Sequence, residues 1–364
     1  MDSGKHPSIV IITYGRPAAV RSVVRFYADY PGQVVVVDGS PEPMRGFAVR
    51  EGDLYLPMPG ETVSRRISEG IAAVAADTCA LAADDDYHVA DSLLECSQTI
   101  LARGDVACAA GTAVYFEAGE RSPGRSVADC AVERILSVED TADAARRFAS
   151  VISLWPQVFY ACMRTSVARK VSSALAWIPD GHGLVGEQLW CALPSLFGRL
   201  ELVQRLQLCR SVGRRDLSAY SAPFRRLADI SEWDGYARMC ERVVAVAHDA
   251  GLDEASSERV VGAWREFASQ TERGRRSWDA RRFPLGHSLR RTARNLSSNL
   301  GVAANPKAWF HAPTRNIVRK TAGRGFLRSR AYPWADPAAR HEFCRVMAFD
   351  AQASSPAPAS AATP

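Results

Sequence analysis

The feature that most constrains this chain is the way short β-branched runs alternate with amphipathic segments through its amino-terminal third. Runs such as SIVIIT at 8–13 and VVVV at 34–37 are apolar on both faces and too short for helices. The segments between them repeat their apolar residues at helical spacing. A strand buried on both faces and followed by a helix is the unit from which parallel sheets are built, because parallel neighbours need a crossover connection. The expected class is therefore α/β, with helices covering both faces of a sheet.

The pattern predicts strands at Ser8–Thr13, Val34–Val37, Leu54–Leu56 and Cys79–Ala83. Pro17 opens a helix that runs over Ala18–Tyr27, where its missing N–H costs nothing. A helix from about Thr62 to Ala75 carries Val63, Ile67, Ile71 and Val74 on one face. Beyond it come a helix over about Ala90–Arg103, a strand around Val106–Phe116 and a Gly/Ser/Arg loop at Ala118–Ser126. Val158–Met163 reads as a strand, Ser166–Ala176 and Leu184–Phe197 as helices, and Leu200–Leu208 as a return to the sheet. From about Asp216 to Ser269 the spacing is mainly helical.

At 364 residues the chain exceeds what one core usually accommodates. It divides into a catalytic domain at 1–212, a helical region at 213–270, an Arg-rich region at 271–350 and a Pro/Ala/Ser tail at 351–364 that has nothing to bury. Charge sharpens that division. Residues 271–330 hold 15 Lys and Arg against 2 Asp and Glu, about +13, so with a net charge of +5 the remainder is about −8. Such a stretch suits an anionic membrane surface or a lipid-linked pyrophosphate, and its aromatic residues suit interfacial attachment; folding back onto the acidic remainder is the alternative. No nucleic-acid module accompanies it, so nucleic acid is not an expected partner. The chain shows no apolar run long enough for a membrane span and no signal-peptide core, which makes a cytoplasmic location the expectation, with peripheral attachment at the inner face of the membrane. Its nine cysteines are scattered without a CxxC spacing and read as reduced, buried residues.

Asp84, Asp85 and Asp86 follow a buried strand directly. Three adjacent carboxylates repel unless a cation or donors compensate, and hard oxygen ligands suit Mg2+ or Mn2+. A solvated acidic turn is the plainer alternative, against which stands the placement at a strand's carboxyl end. Asp38 also ends a strand, in Asp38-Gly39-Ser40, where a turn or cap role competes with ligand binding. Arg65 and Arg66 open a helix and offer forks for phosphate or a solvated face. Glu187 lies near a helix start, as a general base or as a dipole-stabilising carboxylate. Asp180 and His182 stand close by as alternatives for the base. His88 is read as a structural histidine, at most one of Trp155, Trp177 and Trp190 as a sugar-stacking residue, and Arg210, in the basic stretch Arg205–Arg214, is left unassigned.

The order SIVIITYGRP, VVVVDGS, ETVSRRISEGIAAVAADTCALAADDD resembles the donor-binding half of family-two-type GT-A glycosyltransferases, in the bacterial branch with a DDD motif. The resemblance covers about 8–116 well, weakens to about 210 and offers little beyond. It implies a GT-A fold, Rossmann-like, with a donor half at about 8–116 and an acceptor half at about 117–212. It further implies that Thr13, Tyr14 and Arg16 begin the nucleobase pocket and that Asp38 bonds the base. Asp84 would face the ribose and share the metal with Asp86, Asp85 would assist or face the donor sugar, and one of Arg65 and Arg66 would reach the diphosphate. Glu187 matches the Glu-Asp motif that supplies the base, with Gln188 departing from its Asp. The implied activity is metal-assisted transfer of a sugar, inverting at the anomeric carbon, from a nucleoside-diphosphate sugar, read as UDP-linked, to a hydroxyl of a glycan or lipid-linked acceptor. A sugar-nucleotide pyrophosphorylase is the enzymatic alternative, although Thr13-Tyr14-Gly15-Arg16-Pro17 stands where its Gly-rich loop belongs. A dehydrogenase would need a GxGxxG after a strand. The remaining alternative is a noncatalytic protein held to an anionic surface.

Overall fold

The computed structural model describes residues 6–117, 131–133, 141–152, 158–212, 234–267, 341–342 and 345–346. The anticipated loop at Ala118–Ser126, Trp155, the basic region 271–330 and the tail 351–364 lie outside the described residues.

The first four strands are β1 (Ser8–Thr13), β2 (Val34–Asp38), β3 (Leu54–Pro57) and β4 (Thr78–Ala83). They lie in the order β3-β2-β1-β4, every neighbour parallel; a helix links β1 to β2 and another β3 to β4, whereas residues 39–53 carry the chain from β2 to β3 without one. Period-2 alternation sorts their side chains. Val10, Val35, Val37 and Leu81 belong to one apolar cluster, whereas Ile9, Ile11, Val34, Val36, Ala80 and Ala82 belong to the other.

Helices α1 (Pro17–Phe26) and α3 (Ala90–Ala102) cover the second face through Val20, Val23, Phe26, Leu93 and Ile100. Pro17 stands at the start of α1 as expected. Helix α2 (Val63–Ala72) covers the first face with Ile67 and Ile71, and Thr62 caps it by accepting the Arg65 N–H. Gly70 lets it approach the sheet: a Cβ there would stand 2.6 Å from Val10 and 2.8 Å from Val37.

Beyond β4 the sheet becomes mixed. Its remaining strands are β5 (Asp86–His88), β6 (Val106–Glu117), β7 (Ala131–Glu133), β8 (Cys162–Arg164) and β9 (Arg199–Val212). The order continues β4-β8-β6-β9-β5, with β7 beside β6; β6 and β9 are parallel and the other pairings antiparallel. On the β4 side, strand β8 pairs only with Thr78 and Cys79, so the carboxyl end of β4 is released from it and the chain crosses over to β9 as β5.

The strand expected at Val158–Met163 is shorter. Residues 158–160 form a turn in which the Val158 carbonyl accepts the Ala161 N–H, because a buried apolar run fits a turn packed in the core as well as a strand. The single helix expected at Leu184–Phe197 divides into α6 (Gly183–Ala192) and α7 (Pro194–Phe197), the second opening at Pro194. Helices α4 (Ala144–Ile152) and α5 (Thr165–Leu175) complete the first face.

The helical region contributes α8 (Tyr236–Asp249) and α9 (254–267). Met239, Val243, Val246, Val260, Val261 and Trp264 from these helices join the same apolar cluster as α2 and α5. Val346, near the far end of the chain, is buried in the opposite cluster, and the neighbouring Arg345 guanidinium lies 4.2 Å from the Phe26 ring centroid. No helix among the described residues is long and apolar enough to cross a membrane.

Candidate active site

The carboxyl ends of β1, β2 and β4 lie side by side, with Thr13 in register with Asp38 and Ile12 with Ala83. At this edge of a parallel sheet the connections diverge and leave room for a ligand. Each strand end presents or leads into an expected site residue, namely Thr13, Asp38 and Asp84.

Asp84 is almost fully buried. The Thr13 hydroxyl donates to its Oδ2 at 2.7 Å, and Arg16 donates through Nη1 to its Oδ1 at 2.7 Å. Arg16 also reaches Asp85 Oδ2 at 2.8 Å. Burial is the largest influence on Asp84 and pushes its carboxyl up to about 6, against the Thr13 bond and the Arg16 charge; repulsion from Asp85 and Asp86 adds to the rise. Asp85 is also raised, by burial first and then by the Asp86 charge, while Arg16 and Arg210 oppose the rise. Tyr14, beside this cluster in the chain, is exposed, with the Arg66 guanidinium 5.8 Å from its ring centroid.

Asp86 lies on β5, opposite Arg210 of β9 in the antiparallel register. Arg210 donates through Nε to Asp86 Oδ1 at 3.2 Å, whereas Asp86 Oδ2 is buried with no hydrogen-bond partner. An unpaired buried carboxylate oxygen is costly, so a cation or donor at that position would stabilise the site. Among the described residues no cluster of three His, Cys, Asp or Glu is arranged to grip a metal by itself. Mg2+ and Mn2+ do not require one, because they take few protein ligands and complete their shell with water and substrate phosphate. The donor set thus fits an ion anchored on Asp86 and finished by a diphosphate; both Asp84 oxygens are already engaged.

Asp38 is buried at the end of β2, accepting from the Ser40 N–H at 2.9 Å and hydroxyl on Oδ1 and from the Tyr55 hydroxyl on Oδ2 at 2.6 Å. Burial opposes its charge, yet the bonds from Ser40 and Tyr55 outweigh that and hold the carboxyl below its usual value. Ser40 also accepts the Gly15 N–H at 2.8 Å, tying the turn after β1 to the end of β2.

The two expected arginines separate. Arg66 is buried, donates to the Thr13 carbonyl at 2.7 Å and lies against Gly39, where a Cβ would come within 2.5 Å of its Nη1. Burial lowers its proton affinity, with the charges of Asp180 and Asp38 opposing. Arg65 is exposed and pairs with Glu69 one turn on, at 2.6 Å.

Asp180, in the short 3-10 turn Asp180–His182, accepts the Val63 N–H at 2.7 Å and so anchors the start of α2. Glu187, on α6, lines a small open cleft whose walls are mainly apolar, with Val63, Ile67, Phe159, Leu175 and Trp190 beside Ser64 and Ser172. Those apolar walls push its carboxyl up to about 7, against the charge of Arg210. It makes no hydrogen bond among the described residues. Gln188 is fully buried, with neither amide atom bonded.

His88 is a core histidine: its Nε2 lies 2.7 Å from the Leu81 carbonyl oxygen, and burial lowers its pKa to about 4. Trp190 donates its indole N–H to the Phe159 carbonyl and Trp177 to Ala174. Sequence reasoning missed Ser40, Tyr55 and Tyr160 and left Arg210 unassigned. Only Ser40, two residues after Asp38 in an Asx-turn pattern, carried a local signal.

No family model matches the chain, and no curated protein matches it. Among solved structures it is similar to Staphylococcus aureus TarS 1–349 in complex with UDP, at 13% identity over 96% of this chain and 89% of that one, with a TM-score of 0.45. It is similar also to the mannosyltransferase PcManGT from Pyrobaculum calidifontis in complex with GDP-Man and Mn2+, at 12% identity over 96% and 86% of the two chains, with a TM-score of 0.40. The chain spans 43% of the longer S. aureus TarS structure, at 13% identity over 67% of its own length and a TM-score of 0.38. Likenesses this distant assign no residue a role.

Proposed function

We propose that this protein is a glycosyltransferase that moves a sugar from a nucleoside-diphosphate sugar to a hydroxyl of a glycan or lipid-linked acceptor by direct displacement, with inversion. The observation that carries the reading is the meeting of Asp84, Asp85 and Asp86 with two arginines at the carboxyl edge of a parallel sheet, where Asp86 keeps one buried oxygen without a partner.

In this reading Asp86 anchors Mn2+ or Mg2+, which supplies charge neutralisation for the departing diphosphate. Thr13 and Arg16 hold Asp84 beside the nucleotide, and the Asp38–Ser40–Gly15 bonds keep the turn after β1 in place for the base. Glu187 takes the acceptor's proton at its carboxylate as the hydroxyl attacks. A carboxyl raised to about 7 suits that work, since it holds a proton well enough to receive one and is still ionised in part near neutrality.

Thermal-shift titration of the intact chain with UDP and GDP, with and without Mn2+, tests the donor half. A matching nucleotide stabilises only the folded state, so at a hundred times Kd it adds about 2.7 kcal/mol and raises Tm. Asp86→Asn should lose the Mn2+-dependent part of that rise, and Glu187→Gln should keep it while losing sugar transfer. If neither UDP nor GDP raises Tm, with or without Mn2+, the transferase reading fails.

A further inference from the structure

We infer that Arg210 is a positioning residue that joins the two halves of the proposed site, fixing Asp86 from one side and setting the charge environment of Glu187 from the other. The inference rests on the transferase reading and deepens it.

Position is the first support. Arg210 lies on β9 directly opposite Asp86 of β5, and its side chain is only 14% exposed. Its Nε donates to Asp86 Oδ1 at 3.2 Å. Its Nη2 donates to the Tyr160 hydroxyl at 3.1 Å, and its guanidinium carbon lies 4.7 Å from the centroid of the same ring. A guanidinium held by a hydrogen bond and by a ring face has little freedom to swing. Asp86 therefore has one oxygen pinned by Arg210 and presents the other, Oδ2, without a partner.

Charge is the second support. Arg210 lies over Tyr160, whose ring centroid is 4.8 Å from that of Phe159 in the wall of the Glu187 cleft, and from there its charge opposes the rise that burial imposes on Glu187. The other charged groups on elements packed around Glu187 are engaged elsewhere: Arg65 with Glu69, Arg66 with the Thr13 carbonyl, Arg147 with the Ser195 carbonyl, Arg169 with the Val74 carbonyl, Lys170 with Asp249 and Asp180 with the start of α2, while Arg146 and His182 make contacts of their own. Without Arg210 the apolar walls of the cleft would act on Glu187 unopposed, and the base would stay protonated at the pH where it has to accept.

Arg210→Gln removes the charge, and Arg210→Lys keeps a charge while losing the planar fork. In the ligand-free protein, carboxyl-carbon NMR of Glu187 should show the titration midpoint of Arg210→Gln at higher pH than wild type, by half a unit or more on the order-of-magnitude scale of such charge effects. The Arg210→Lys midpoint should return toward wild type. Calorimetric binding of UDP with Mn2+ should weaken several-fold in both variants, because neither can bond Asp86 Oδ1 through Nε while bonding the Tyr160 hydroxyl through Nη2. An Arg210→Gln protein that folds, titrates at Glu187 as wild type does and binds UDP with Mn2+ equally well overturns the role of Arg210. If Arg210→Gln does not fold, an Arg210→Lys protein whose UDP and Mn2+ affinity matches wild type does so instead. Wild-type protein that binds no UDP with Mn2+ would count against the transferase reading, while the Glu187 midpoints would still decide the electrostatic part.

Discussion

At the scale of single residues, environment decides what each carboxylate does. Asp38, Asp84 and Asp86 all stand at or near strand ends and are all buried, yet Asp38 has both oxygens bonded by donors of its own neighbourhood, Asp84 is held between Thr13 and Arg16, and Asp86 has an oxygen to spare. Glu187 differs again, because apolar walls rather than donors surround it. That difference gives a stability prediction. Its carboxyl rises from the ordinary 4.5 to about 7 on folding, so below about pH 4.5 both states hold the proton and burial adds no charge penalty. As pH climbs toward 7 the unfolded chain ionises first, and this residue's contribution to stability is lost. Glu187→Gln should therefore melt increasingly above wild type between about pH 4.5 and 7, with a constant gap at higher pH. A gap that does not change with pH in thermal melts would show that the cleft does not raise this carboxyl. The acid triplet itself was legible in the sequence because it is three adjacent letters after an apolar run. The state of each member was not, because hydrogen-bond partners such as Arg16 lie 68 residues away.

At the scale of elements, the close approach of α2 to the sheet sets where Thr62, Val63 and Arg66 sit, and with them one wall of the Glu187 cleft. Gly70 permits that approach. Alanine there would gain roughly 1 kcal/mol in helix propensity but overpack Val10 and Val37 at a typical cost of about 1–3 kcal/mol. Overpacking should win, because both contacts fall below 3 Å and involve fully buried side chains of the central strands. Gly70→Ala should lower stability by about 1 kcal/mol or more in urea denaturation, and an increase would mean that the helix can slide outward freely. The helix and strands of this half were readable because periodicity is a local property. The second half was read less well: Val158–Met163 turned out to be part turn, and the β9 strand extends to Val212 rather than ending at Leu208, since a run's partner and not its composition decides how far pairing continues.

At the scale of the whole molecule, one apolar cluster runs from Val10 and Leu81 in the sheet through α2 and α5 to Trp264 of α9. Shared burial should make these parts unfold together. Trp264→Ala removes a fully buried indole and should cost about 3–5 kcal/mol, with far-UV circular dichroism and tryptophan fluorescence moving in a single transition. Two separated transitions in the wild-type protein would mean that α8 and α9 melt independently of the sheet. By itself the sequence determined the α/β alternation, the parallel character of the first strands and the placing of acidic residues at strand ends, because periodicity and residue order are carried by neighbours along the chain. Only the tertiary structure decided that β5 leaves β4 for β9, that Arg210 meets Asp86 across 124 residues, and that Glu187 faces apolar walls. Strand pairing and desolvation are sums over groups distant in sequence, and no local window contains them.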